Sequence, residues 1–161
     1  MDEALSGGHA RVTEVSEGGS VPELRFVNGS GHKILLLDGE EFVGAKQNRV
    51  LNVSILVAPQ RSVTIPVSCV KQGRWKARSA EFQTAGRAQF ARGRAEKALH
   101  VTSSLRTRGE RRSDQGQVWE RIQEKADALH AHSATGATAD VFDHYAADLG
   151  AYERALPPLQ G

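Results

Sequence analysis

The sequence predicts an α+β domain: an antiparallel β-sheet from the N-terminal half, packed by C-terminal helices. Three observations carry that expectation. Residues 62–70 alternate, with Val63, Ile65, Val67 and Cys69 on one face and Ser62, Thr64, Pro66 and Ser68 on the other, the period of a strand. Short turn signals separate the apolar stretches of the first seventy residues, which favours antiparallel pairing over the long crossovers of parallel strands. Val118, Ile122, Ala126 and Leu129 then recur at helical spacing.

In chain order, residues 11–15 form a weak strand candidate closed by Gly18-Gly19. Residues 24–27 and 33–37 flank Asn28-Gly29-Ser30-Gly31, a strong turn signal. The continuous run Ile34-Leu35-Leu36-Leu37 suits a strand covered on both faces. Residues 51–57 and 62–70, joined by Ala58-Pro59-Gln60-Arg61, read as a hairpin. Pro66 lacks an N–H and places the second strand at an edge or near a bulge. Residues 76–112 receive no assignment: residues 88–99 suit a helix, whereas Leu99, Val101 and Leu105 also suit a strand. The first C-terminal helix takes Ser113 or Asp114 as its N-cap. A second helix carries Val141, Phe142, Tyr145, Leu149, Tyr152 and Leu156 and stops at Pro157-Pro158. The short link Ser133-Ala134-Thr135-Gly136 makes these helices neighbours.

A chain of 161 residues with 39% hydrophobic and 25% charged residues supports a single domain, with its ordered core expected over about residues 20–157. No apolar run reaches the ~18–20 residues of a bilayer span, and residues 1–10 lack the features of a signal peptide. The single cysteine excludes an internal disulfide. A cytoplasmic protein with no membrane partner is therefore expected. The net charge of +2 conceals an asymmetry: residues 1–73 carry −1, residues 74–112 carry +8 and residues 113–161 carry −5. The basic belt implies an anionic partner, or two segments neutralising each other.

Few residues stand out for chemistry. Cys69 continues an inward apolar set and reads as buried and inert. The six histidines are scattered and form no metal-ligand spacing, so no metal site is expected. Gln47-Asn48-Arg49 stands at a strand mouth after Glu40-Glu41-Phe42; these three side chains serve a ligand or tie down a loop. Gly73-Arg74-Trp75 follows the predicted edge strand. There a guanidinium fork and an indole face suit phosphate and base recognition, or else the Arg stacks on a core-capping Trp. Asp114 opens a helix, where a carboxylate complements the dipole.

In order and spacing, the stretch Leu37 to Asn52, the blocks Ile65-Pro66-Val67-Ser68-Cys69-Val70 and Gly73-Arg74-Trp75, then Ser113-Asp114-Gln115, Val118-Trp119 and Ser133-Ala134-Thr135-Gly136-Ala137 resemble the ARG and rhodanese-phosphatase-superfamily-associated protein domain family. The resemblance runs from about residue 20 to the end. With ARG taken as ADP-ribosylglycohydrolase, it implies a role near NAD-derived metabolites. Lys71 stands where the family pattern has an acid, and family members continue past the second helix, so the chain reads as a short or partial member.

The expected function is a nucleotide- or ADP-ribose-related ligand-binding domain. A small anionic or nucleotide-like ligand would meet Gln47, Asn48, Arg49 and Arg74, with Trp75 as the stacking surface. Glu41 or Asp114 would act as general base if there is catalysis. The alternative is a non-catalytic interaction protein whose belt over residues 74–112 binds an acidic protein or RNA. The residues assign neither a cofactor nor an oligomeric state.

Overall fold

The computed structural model describes residues 1–16, 22–44, 47–71, 81–131, 133 and 136–156. Six strands close into an antiparallel barrel: β1 (Ala10–Glu14), β2 (Glu23–Asn28), β4 (Glu40–Gly44), β5 (Arg49–Leu51), β7 (Arg61–Cys69) and β8 (Glu81–Ala88), in the order β1-β2-β7-β5-β4-β8. The α+β expectation holds, and the sheet is a closed barrel. Two short strands, β3 (Ile34–Leu36) and β6 (Ile55–Val57), pair as a separate ribbon. The helices are α1 (Asp2–Ser6), α2 (Ala91–Arg108), α3 (Gln115–Ala128), α4 (Thr138–His144) and α5 (Ala146–Ala155). Among the described residues no helix is long and apolar enough to cross a membrane.

Alternation along the staves fills the barrel. Val12, Leu24, Phe26, Phe42, Leu51 and Ile65 are each 0% exposed and belong to one apolar cluster. Burying a side chain of this kind stabilises by about 1.5–3 kcal/mol. The ribbon and α1 lie beyond the end of the barrel marked by Ala10, Asn28, Arg61 and Leu51, and add Leu5, Leu36 and Val57 to the cluster. Asn28 fastens the ribbon: its Nδ2 donates to the carbonyls of His32 (2.8 Å) and Ala58 (3.0 Å), while its Oδ1 accepts from Ser30 N (2.9 Å). That end is therefore closed by apolar side chains.

Several sequence expectations change. The 51–57/62–70 hairpin is split: β5 pairs with β7 (Leu51↔Val67, Arg49↔Cys69), whereas β6 turns away to pair with β3. Asn52 makes the break, donating its N–H to the Pro66 carbonyl (2.9 Å) and accepting from Ser68 Oγ (2.7 Å). Pro66 accordingly sits inside a closed barrel rather than at an edge. Its carbonyl faces Asn52, so its missing N–H falls just past the last β5 pair, where the ladder has ended. The run Ile34-Leu35-Leu36-Leu37 is covered on one face only, since Leu36 is 0% exposed and Leu35 50%. The predicted second helix breaks at Tyr145 (φ −105°) into α4 and α5. The unassigned stretch supplies β8 and α2. Gly18-Gly19, His132 and Pro157-Pro158 lie outside the described residues.

The helices cover the outer wall. Val50 and Val70 pack on Val118 and Ile122 of α3, and Asp114 caps α3 by accepting from Gln117 N (3.1 Å). Beyond Val67 the ladder to β2 has stopped, leaving Cys69 with no strand on that side. The Gln115 side chain takes the place of the missing strand: Cys69 N donates to its Oε1 and its Nε2 donates to the Cys69 carbonyl, both at 2.8 Å. On α2, Lys97 is 2% exposed and donates to the Leu51 carbonyl. Arg94 pairs with Asp38 (2.9 Å) across Gly39. A Cβ at Gly39 would lie 2.7 Å from Arg94 Cδ, and its φ of +82° also requires glycine.

Candidate functional site

Because every neighbouring pair in the barrel is antiparallel, six strand ends meet at the rim opposite the ribbon: Glu14, Glu23, Gly44, Arg49, Cys69 and Glu81. Three connections leave and return there, between β1 and β2, between β4 and β5, and between β7 and β8. One end of the barrel is thus plugged with leucine and valine, while the rim at the other carries Glu14, Glu23, Arg49, Cys69 and Glu81. Barrel mouths of this kind are frequent ligand sites.

Charged residues line the inner wall below this rim. Arg49 shares the inward parity of Leu51 and is 0% exposed. Its Nη1 donates to Gln47 Oε1 (2.9 Å), which fixes the guanidinium plane. Cys69 lies directly opposite Arg49 on β7. Burial pushes the Cys69 thiol up, the Arg49 guanidinium pulls it down as charge and hydrogen-bond donor, and Glu14 adds a smaller rise. Arg49 and Glu14 therefore both act on the Cys69 thiol. Glu14 extends the inward series Ala10, Val12, and neither of its buried carboxylate oxygens has a hydrogen-bond partner among the described residues. A sealed carboxylate without donors is costly.

The residues expected from sequence do not converge on one place. Gln47 and Arg49 face the barrel interior. Asn48 and Glu41 lie on the outer wall under the helices, where Glu41 is 1% exposed and both its oxygens are engaged, by Asn48 Nδ2 (3.0 Å) and by Arg87 Nε (2.7 Å). Arg87 in turn reaches Asp143 of α4 (3.6 Å) and lies over the Phe142 ring (5.1 Å). Asp114 is exposed at the start of α3, in a separate cleft of about 480 Å³ between α2 and α3. Arg74 and Trp75 lie outside the described residues, in a segment that leaves at Lys71 and returns at Glu81. Cys69 is buried and free, as expected. No group of His, Cys, Asp and Glu among the described residues is arranged to hold a metal ion.

Sequence reasoning missed two features. Glu14 was signalled by an acid continuing an apolar alternation at positions 10, 12 and 14. The α2–α3 cleft was signalled by His100, Ser103, Ser104, Thr107 and Arg108, a polar stripe at helical spacing that lines it. The belt itself divides in two. Arg87, Arg92 and Arg94 are paired with Glu41, Glu96 and Asp38, so it is neutralised by the sheet half and by its own glutamate more than by the acidic C-terminal third. Arg106, Arg108 and Arg111 have no ion pair among the described residues, and Arg112 has a loose one to Glu110 (3.6 Å).

A six-stranded barrel with a plugged base and a charged mouth defines a class of β-barrel with an enclosed polar end. The chain belongs to the ARG and Rhodanese-Phosphatase-superfamily-associated Protein domain family, whose profile matches residues 1–161. No curated protein and no solved structure matches it.

Proposed function

We propose that the protein binds a small sugar-phosphate ligand of the nucleotide or ADP-ribose type at the polar mouth of its barrel. The observation that supports this reading is the Glu14 carboxylate, buried in the inner wall with no hydrogen-bond donor among the described residues and acting, like the buried Arg49, on Cys69. A ribose diol offers two O–H donors to such a carboxylate, and a phosphate offers acceptor oxygens to a guanidinium held in plane by Gln47. Arg74 and Trp75, the second cation and stacking face expected from the sequence, lie outside the described residues. The ADP-ribose element rests on the family's name, with ARG read as ADP-ribosylglycohydrolase.

Calorimetric titration with ADP-ribose, ribose 5-phosphate and inorganic phosphate tests the proposal. ADP-ribose is expected to bind most tightly. Glu14→Gln, which keeps the shape of the side chain, is expected to weaken binding of the two sugar phosphates about tenfold, one hydrogen bond to a charged group. It should not weaken the binding of phosphate alone, because it removes a like charge. Absence of heat for all three at millimolar concentration, or equal binding by Glu14→Gln, overturns it.

A second reading is favoured by arginines that are loosely paired or have no ion pair among the described residues. Arg108, Arg111 and Arg112 line the α2–α3 cleft and its neighbour, a surface suited to an acidic protein or RNA. Binding there would fall steeply with salt and would be lost on replacing Arg108 and Arg112, while Glu14→Gln would leave it intact.

A further inference from the structure

A cavity of about 390 Å³ opens between α3, α4 and α5, and shares no lining residue with the barrel mouth or the basic cleft. Its wall is apolar and largely aromatic, formed by Phe90, Ile122, Val141, Phe142, Tyr145 and Tyr152. Three polar groups interrupt that wall. Thr138 is 3% exposed, and its buried hydroxyl has no hydrogen-bond partner among the described residues. A hydroxyl left unmatched in an apolar wall carries a cost that a ligand group can remove. Lys125 lines the cavity with its ammonium 5.8 Å from the Phe90 ring centroid and no ion pair among the described residues. Asp148 is exposed on the opposing helix and disfavours a second anionic group there. Apolar walls with a few placed polar groups and a volume in this range characterise small-molecule sites.

We propose that this cavity binds a hydroxylated aromatic carboxylate. The ring system lies among Phe90, Val141 and Phe142, the carboxylate pairs with Lys125, and the ring hydroxyl bonds Thr138 Oγ1. The charge on Lys125 and the unmatched hydroxyl of Thr138 argue for this occupant over a purely apolar one, and Asp148 argues for a monoanion. The site does not depend on the ligand proposed for the barrel mouth.

Fluorescence titration of the full chain with 6-hydroxy-2-naphthoate, 2-naphthoate and 2-naphthol tests it. The hydroxy acid is expected to bind about tenfold more tightly than either analogue. Thr138→Val should erase its advantage over 2-naphthoate, and Lys125→Met its advantage over 2-naphthol, each leaving the other preference in place. Circular dichroism of both variants confirms that they are folded, and wild-type selectivity among the three probes stands as a test that needs no variant. Equal binding of 2-naphthol and the two acids by the wild type, preferences unchanged in folded variants, or no binding of any probe at millimolar concentration overturns the proposal.

Discussion

Replacing Lys97 by methionine probes how α2 is fastened to the barrel. The ammonium is 2% exposed and donates to the Leu51 carbonyl at the end of β5. Burial lowers its pKa from 10.5 to about 8, with Asp38 opposing that fall and Arg94 adding to it. The unfolded chain therefore holds more protons than the folded one between about pH 8 and 10.5. Stability must rise with pH across that window, by up to 1.36 kcal/mol per unit of pKa difference. The shift corresponds to about 3 kcal/mol of stability that is missing at pH 7 and recovered by pH 10.5. Methionine keeps the chain length, removes the charge and gives up the bond to Leu51, a loss of about 1–3 kcal/mol. At pH 7 the two effects nearly cancel, whereas at pH 10.5 only the loss remains. Urea unfolding of both proteins at intervals from pH 7 to 10.5 measures the difference directly. Wild-type stability relative to the variant should climb by about 3 kcal/mol over this range. A difference that stays flat would refute a charged, desolvated Lys97 as the group that anchors α2.

Other consequences follow from single contacts. Gln115→Ala removes both partners of the Cys69 backbone and should cost about 2–3 kcal/mol in urea unfolding, two buried hydrogen bonds; an effect below about 0.5 kcal/mol would show that α3 is held by Val118 and Ile122 alone. Cys69, whose thiol is raised by burial, should react with a disulfide reagent only at the rate of unfolding, and rapid labelling of the native protein would contradict the enclosed position. Arg94→Ala should cost about 0.5–1 kcal/mol after solvent screening. Because Arg94 holds the Asp38 carboxyl below its usual range, that contribution is present at neutral pH and disappears as the pH falls through the carboxylate range; equal losses at pH 7 and pH 3 would exclude the ion pair as its source.

The parts legible in the sequence were those fixed by local periodicity. β7 alternates apolar and small polar residues and α3 buries one face, so Val63-Ile65-Val67-Cys69 and Val118-Ile122-Ala126 announced them. Partnership was less legible. The pairing of β5 with β7 across the β3–β6 ribbon depends on Asn52 and Ser68 meeting in space, and spacing along the chain carries no trace of that. β8 and α2 escaped assignment for a related reason: α2 buries Gly93, Lys97 and Val101 rather than an apolar stripe, since polar bonds to Leu51 and Asp38 hold it. At the candidate site, Gln47 and Arg49 were visible as polar residues at a strand mouth. That Asn48 would turn to the opposite wall follows from strand alternation, but only once the register is known. Glu14 gained its meaning from closure of the barrel, which brings β1 and β7 to one rim and lets the acid act on Cys69.

An anionic sugar ligand is proposed to bind at the charged rim rather than in the α2–α3 cleft or on the outer wall. Backbone amide chemical shifts recorded during titration with ADP-ribose test it most directly. The account predicts saturable shifts at Glu14, Gln47, Arg49 and Cys69 with little change at Ser103, Thr107 and Asp114. Shifts confined to the α2–α3 cleft, or none at millimolar ligand, would contradict it.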